Sequence, residues 1–295
     1  MAAKFGLLML ALLVFAGHAR AGELLVDQSL LSAALGQDIR YSVYLPSSAT
    51  PGARFPTIYL LHGFAGGQYE WAKGGRIAET LDRLIESGSM SPVIAVMPDA
   101  GKSWYVDSKR YGGPGDYETA IVRDLVAGID ARYPTLADAD HRGIAGISMG
   151  GRGALRLAFA HPDVFSAVAG LSPGIWLPGG VSGRTGPAND PPEEQAKWFG
   201  RTAGETFDIK IFNAQSPFAL VDGLATLSRP PAILLAVGDD DYWKLHDGTV
   251  ELYIGLRRIG LKPELRVGDG GHDWKFWRSV TDAVLLFLDG SFGDR

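Results

Sequence analysis

Five short runs along the chain are apolar at nearly every position: residues 57–61, 93–97, 143–147, 167–171 and 233–237. Runs without alternation suit strands buried on both faces of a parallel sheet. Residues 39–45 alternate instead, as a half-exposed strand does, and Pro46 ends them. Residues 264–267 predict one more strand. Segments 77–86, 117–132, 150–160 and 250–259 are each long enough for a helix and are bounded by Gly, Pro or Asp. From Asp273, residues Trp274, Trp277, Val280, Val284, Leu285 and Leu288 recur at helical spacing, with Asp273 placed as N-cap. Strand and helix patterns in this alternation predict a mainly parallel central sheet with helices on both faces.

Two stretches depart from it. Residues 173–231 hold Gly179-Gly180, Pro187 and Asp190-Pro191-Pro192 and few apolar runs. They predict a loop-rich, lid-like insertion after the strand that follows the Gly150 helix. At the start, Lys4, an apolar run over 5–16 and Ala19-Arg20-Ala21 have the form of a secretory signal. The run is too short for the ~20 residues of a spanning helix. A signal over 1–21, then a single domain over 22–295, predicts a periplasmic or extracellular protein without stable membrane insertion.

Composition narrows the chemistry. Residues 22–295 carry 26 basic against 33 acidic side chains, a net charge of −7, which disfavours nucleic acid and anionic membranes. No cysteine is present, so a thiol nucleophile, a disulfide framework and a cysteine-ligated metal are excluded.

The run 143–147 leads directly into Ser148 within Gly146-Ile147-Ser148-Met149-Gly150, and a segment rich in small residues follows. Strand, sharp turn and helix form a nucleophile elbow, in which the serine projects Oγ above the sheet and needs small neighbours two residues either side. Gly150-Gly151-Arg152-Gly153 lacks the Lys-Ser/Thr of a phosphate loop. Arg152 and Arg156 are expected to be solvated.

On such a turn the acid and then the base follow the nucleophile in the chain. His272 has the right order, in a Gly-rich loop between the last strand and last helix. His246 is the late rival, but it falls at the start of a helix close to the acid candidates. Those candidates are Asp239, Asp240 and Asp241, after strand 233–237. Asp241 is the first choice and Asp240 the second, the remaining aspartate being free to cap the next helix. Their spacing does not match a calcium loop, and no metal or cofactor is expected.

Two backbone amides should face the oxyanion: Met149 N–H, and Phe64 N–H in the loop His62-Gly63-Phe64-Ala65-Gly66-Gly67. His62 is expected to hydrogen-bond that loop. Of the aromatics near these loops, which include Tyr69, Trp71, Trp198, Phe199 and Tyr242, we expect Trp104, Tyr105 and Trp243 to contact substrate.

Over residues 25–289 the chain resembles the esterase family that contains esterase D, tributyrin esterases, bacterial feruloyl esterases and mycolyltransferases. The marks are Tyr44-Leu45-Pro46, Tyr59-Leu60-Leu61-His62-Gly63, Met97-Pro98-Asp99, Trp104-Tyr105-Val106-Asp107-Ser108, the Ser148 motif with Gly151, Ser216-Pro217 and Gly271-His272-Asp273-Trp274. The resemblance implies an α/β-hydrolase fold and cofactor-free hydrolysis of carboxylic esters through an acyl-enzyme on Ser148, and it supports Asp241 as the acid. The substrate would be a small-molecule or polysaccharide-linked acyl or aryl ester. Acyl transfer of the mycolyltransferase type would use the same triad. A non-catalytic binding module would need a triad member to be missing.

Overall fold

The computed structural model describes residues 21–47, 51–177 and 190–293. The expected signal over 1–21 therefore lies outside the described residues except for its last, and so does part of the 173–231 insertion. Eight strands form one sheet in the order β1-β2-β4-β3-β5-β6-β7-β8. They are β1 Glu23–Ser32, β2 Gln37–Leu45, β3 Thr57–Leu61, β4 Ile94–Pro98, β5 Arg142–Ile147, β6 Ala167–Leu171, β7 Ala232–Gly238 and β8 Glu264–Gly268. β1 and β2 join antiparallel, and every pair from β4 to β8 is parallel. The strands expected from continuous apolar runs are present within a residue at each end. β1 was not expected: a bulge between Leu25 and Gln28 breaks its alternation, and most of its residues stay exposed or half-buried.

Each inner strand feeds two cores. In β3, Tyr59 and Leu61 join one apolar cluster with Leu125, Ile129, Leu155 and Phe159, while Ile58 and Leu60 join the other with Leu81, Trp277, Val284 and Leu288. This is why the strand shows no polar alternation: both of its faces are covered. The helices are α1 Glu70–Lys73, α2 Ile77–Glu86, α3 Tyr117–Thr119, α4 Val126–Arg132, α5 Met149–Ala160, α6 Pro192–Phe199, α7 Ile209–Ala214, α8 Val221–Leu224, α9 Leu245–Arg258 and α10 Trp274–Asp289. A π turn over Ala120–Leu125 joins α3 to α4, so the expected helix 117–132 is continuous but wider in its middle. Asp273 caps α10 by accepting Phe276 N–H. The described part of the insertion carries α6, α7 and α8 and is thus more helical than its composition predicts. Among the described residues no helix is long and apolar enough to cross a membrane.

The strand order reverses between β3 and β5, so the loops leaving their carboxyl ends diverge and open a crevice there. Leu61 pairs with Gly146 and Ile147 with Leu171, which brings the ends of β3, β5 and β6 to one level.

Candidate active site

Ser148 sits where β5 passes into α5, with φ +54° and ψ −118°, a conformation that strains any side-chain-bearing residue. The strain is over-determined by its neighbours. Its N–H donates to Leu171 O at 2.9 Å, and its carbonyl accepts from Arg152 N–H at 3.1 Å and Gly174 N–H at 2.8 Å. The turn is tight enough that a Cβ on Gly146 would stand 2.2 Å from Gly150 O, and one on Gly150 would stand 2.4 Å from Leu61 O. Glycine at both positions is a steric requirement.

Ser148 Oγ lies 2.8 Å from His272 Nε2, and His272 Nδ1 lies 2.8 Å from Asp241 Oδ2. A carboxylate only accepts, so Nδ1 carries the proton and Nε2 is left to accept from the serine hydroxyl. Asp241 is buried, and its other oxygen accepts Trp243 N–H at 2.9 Å. Asp240 is exposed. Asp239 caps no helix; its Oδ1 accepts Gly270 N–H, tying the β7 turn to the His272 loop. Those two loops touch closely: a Cβ on Gly238 would fall 2.1 Å from Gly270 O. His246 lies on α9, 3.4 Å from Asp247, and does not line the cavity described below, whereas His272 does. Exposed carboxylates of Asp239, Asp240 and Asp269 gather with oxygens within 4.8 Å of one another.

Met149 is the first residue of α5, directly after Ser148, so its N–H has no carbonyl partner within the helix and lies at the positive end of the helix dipole. Phe64 follows β3 in the loop beside the serine, where a Cβ on Gly63 would stand 3.6 Å from Ser148 Cβ. His62 holds this loop. Its Nδ1–H donates to Gly63 O at 2.7 Å, its Nε2 accepts Ala100 N–H at 2.9 Å, and burial pushes its pKa down, so the ring is a neutral brace.

The cavity above Ser148 and His272 has a volume of about 840 Å³, and Phe64, Trp104, Trp176, Trp198, Phe199 and Trp243 are among its walls. Trp104 Nε1–H donates to Trp198 O at 2.8 Å, which joins the insertion to the loop after β4. Trp104 and Trp243 thus line the cavity as expected of substrate contacts, but Tyr105 does not. It is fully buried, packs on Gly153 and donates its hydroxyl proton to His62 O, so it braces the floor instead. Trp71 is likewise buried, with Nε1–H on Leu61 O. Sequence patterning missed Trp176, and it missed Glu70, whose carboxylate accepts Gly63 N–H at the cavity wall.

Arg152 and Arg156 are not solvated. α5 is buried around most of its circumference, and Arg152 is 1% exposed, stacked on Phe212 at 4.2 Å, with one N–H donated to Phe212 O. Burial lowers its pKa to about 9. Arg156 is paired with Glu118.

A family model described as Putative esterase matches residues 32–288. The chain belongs to that family. This is the family its motifs resemble, and the class of carboxylic ester hydrolases is the one the sequence led us to expect. A solved ferulic acid esterase is similar over 92% of this chain and 99% of that one, at 31% identity and a TM-score of 0.75, and the expected α/β-hydrolase sheet is shared with it. An acetyl esterase of Caldicellulosiruptor saccharolyticus is 28% identical over 75% of this esterase-family chain and 78% of its own length. An endo-1,4-beta-xylanase/feruloyl esterase of Xylanibacter ruminicola is 29% identical over 42% of this chain, and the matched region spans only 17% of that relative.

Proposed function

We propose that this protein is an exported serine esterase that hydrolyses carboxylic esters through an acyl-enzyme on Ser148. The observation that carries the reading is the unbroken hydrogen-bond relay from Ser148 Oγ through His272 to buried Asp241, opening on an aromatic-walled cavity. As Oγ attacks the ester carbonyl, its proton passes to His272 Nε2, and Asp241 stabilises the imidazolium that forms. Met149 N–H and Phe64 N–H receive the developing oxyanion. Collapse expels the alcohol, which takes the proton from Nε2. Water then attacks the acyl carbon and gives a proton to Nε2; as that intermediate collapses the bond to Oγ breaks, Oγ takes the proton from Nε2, and the carboxylic acid departs, leaving Ser148 and His272 as they began.

A cavity of about 840 Å³ with aromatic side chains prominent among its walls suits an aryl or medium-length acyl group. The similar ferulic acid and acetyl esterases agree with esters of small acids. Tyr242 and Trp243, both exposed at the mouth, leave the alcohol side open to a small or polymer-linked group. Export rests on Lys4, the apolar run and Ala19-Arg20-Ala21.

The test is turnover of p-nitrophenyl acetate and labelling by a fluorophosphonate probe in wild type and Ser148→Ala. Wild type should turn over and label, and the variant should do neither while keeping its melting temperature. A folded Ser148→Ala protein that labels like wild type would overturn the assignment.

A further inference from the structure

Phe64 N–H belongs to the peptide unit that links Gly63 to Phe64, and in a trans peptide the carbonyl and the N–H point in opposite directions. Fixing the carbonyl therefore aims the amide. Gly63 O accepts His62 Nδ1–H at 2.7 Å and Gly66 N–H at 3.1 Å. The preceding peptide is held as well: Gly63 N–H donates to Glu70 Oε2 at 2.7 Å. Glu70 reaches back from the first residue of α1, and its own N–H donates to Gly67 O, so residues 63–70 close on themselves around its carboxylate. The fit leaves no slack. A Cβ on Gly66 would stand 2.1 Å from Glu70 Oε2.

A carboxylate so placed is costly, because it is largely withdrawn from water. Burial pushes its pKa up, and the Gly63 N–H and the neighbouring His272 only partly oppose this. Nothing in the packing of α1 calls for a carboxylate here, since Trp71 supplies the apolar anchor of that short helix. What the acid does is accept one particular N–H in the wall of the cavity that contains Ser148 and His272.

We infer that Glu70 is a positioning residue of the oxyanion loop: by holding Gly63 N–H it fixes the peptide before the Gly63–Phe64 unit, and with the His62 and Gly66 bonds to Gly63 O it sets the direction in which Phe64 N–H points. The inference rests on the esterase reading above. The required property is an acceptor at the Oε2 position, not a negative charge. Glutamine supplies that acceptor in its side-chain carbonyl, whereas aspartate keeps the charge but falls one methylene short.

The experiment compares Glu70→Gln and Glu70→Asp with wild type, reading kcat and KM on p-nitrophenyl acetate, fluorophosphonate labelling and thermal melting. Glu70→Gln should keep kcat within a few-fold. Glu70→Asp should lose on the order of 10–100-fold in kcat with little change in KM, because an oxyanion donor contributes in the transition state. The reverse order would overturn the inference in favour of a charge role, and two variants of wild-type kcat would overturn it outright. If Glu70→Asp fails to fold, Glu70→Gln decides alone: a folded protein with kcat more than tenfold down sinks the idea. Labelling of the wild-type serine keeps the two readings apart. A labelled, active wild type with insensitive Glu70 variants removes only the positioning role, whereas an unlabelled, inactive wild type removes the esterase reading and this one with it.

Discussion

Asp241 Oδ2 lies 2.8 Å from His272 Nδ1, although the two residues leave the ends of different strands, β7 and β8, and stand 31 positions apart. The adjacent carboxylate, Asp240, is exposed to solvent. Only Asp241 can hold the imidazole tautomer in which Nε2 is free to accept from Ser148.

Asp241→Asn should therefore lower kcat by a factor on the order of 10⁴, the loss typical when the triad acid becomes an amide. Asp240→Asn should leave kcat near wild type. Steady-state hydrolysis of p-nitrophenyl acetate by both variants decides it, and a deficit confined to the Asp240 variant would reassign the acid.

The serine turn gives a second outcome. Gly146→Ala places a methyl group 2.2 Å from the Gly150 carbonyl, a backbone atom that cannot swing away. The variant should melt well below wild type and lose fluorophosphonate labelling. Gly255→Ala, on α9 with nothing within 4 Å of the new Cβ, is the control. It should keep full activity and gain up to ~1 kcal/mol from helix propensity, a rise of about 2 °C in Tm. A Gly146→Ala protein as stable and as readily labelled as wild type would refute the tight-turn argument.

Glu118 sets part of the acid sensitivity. Burial alone would raise its pKa, but hydrogen bonds and charge from His161 and Arg156 outweigh that and hold the carboxyl below its ordinary value. A folded-state pKa below the unfolded one stabilises the protein above the unfolded value of ~4.3, and the contribution disappears as pH falls through that value and the lower folded one. Glu118→Gln removes the titration. Urea melts from pH 7 to pH 3 should show wild type more stable at pH 7 and the gap closing with acid. A gap independent of pH would mean that the pair adds nothing through its charge.

Much of this was legible in the chain. The inner strands announced themselves because both of their faces are covered, leaving no polar position, and the Ser148 and Asp241 loops could be placed because each follows such a strand, whereas the His272 loop follows the exposed edge strand β8 and was found from its glycines and its order in the chain. Other features had no local signature. β1 hid behind its bulge. Glu70 belongs to a helix of four residues, too short for any periodicity, and its partner is a backbone amide seven residues away. Arg152 looked like a surface charge because sequence gives no sign that α5 is enclosed nearly all round, with rings rather than an acid for company. Tyr105 and Trp104 are chain neighbours with left-handed φ values of +58° and +54°, and that local geometry sends one beneath the floor and the other into the wall.

Trp176, Trp198, Phe199 and Asp190 all reach the cavity from the stretch after β6, whereas Ser148, Asp241 and His272 arrive from the turns after β5, β7 and β8. The stretch after β6 is tied to the rest of the site by aromatic stacking and by hydrogen bonds from the Trp104 indole to Trp198 O, from Gly174 N–H to Ser148 O and from Arg152 to Phe212 O. The chain thus draws one wall of the cavity from a single contiguous stretch, which drift, recombination or grafting can replace while Ser148, Asp241 and His272 stay where the sheet holds them.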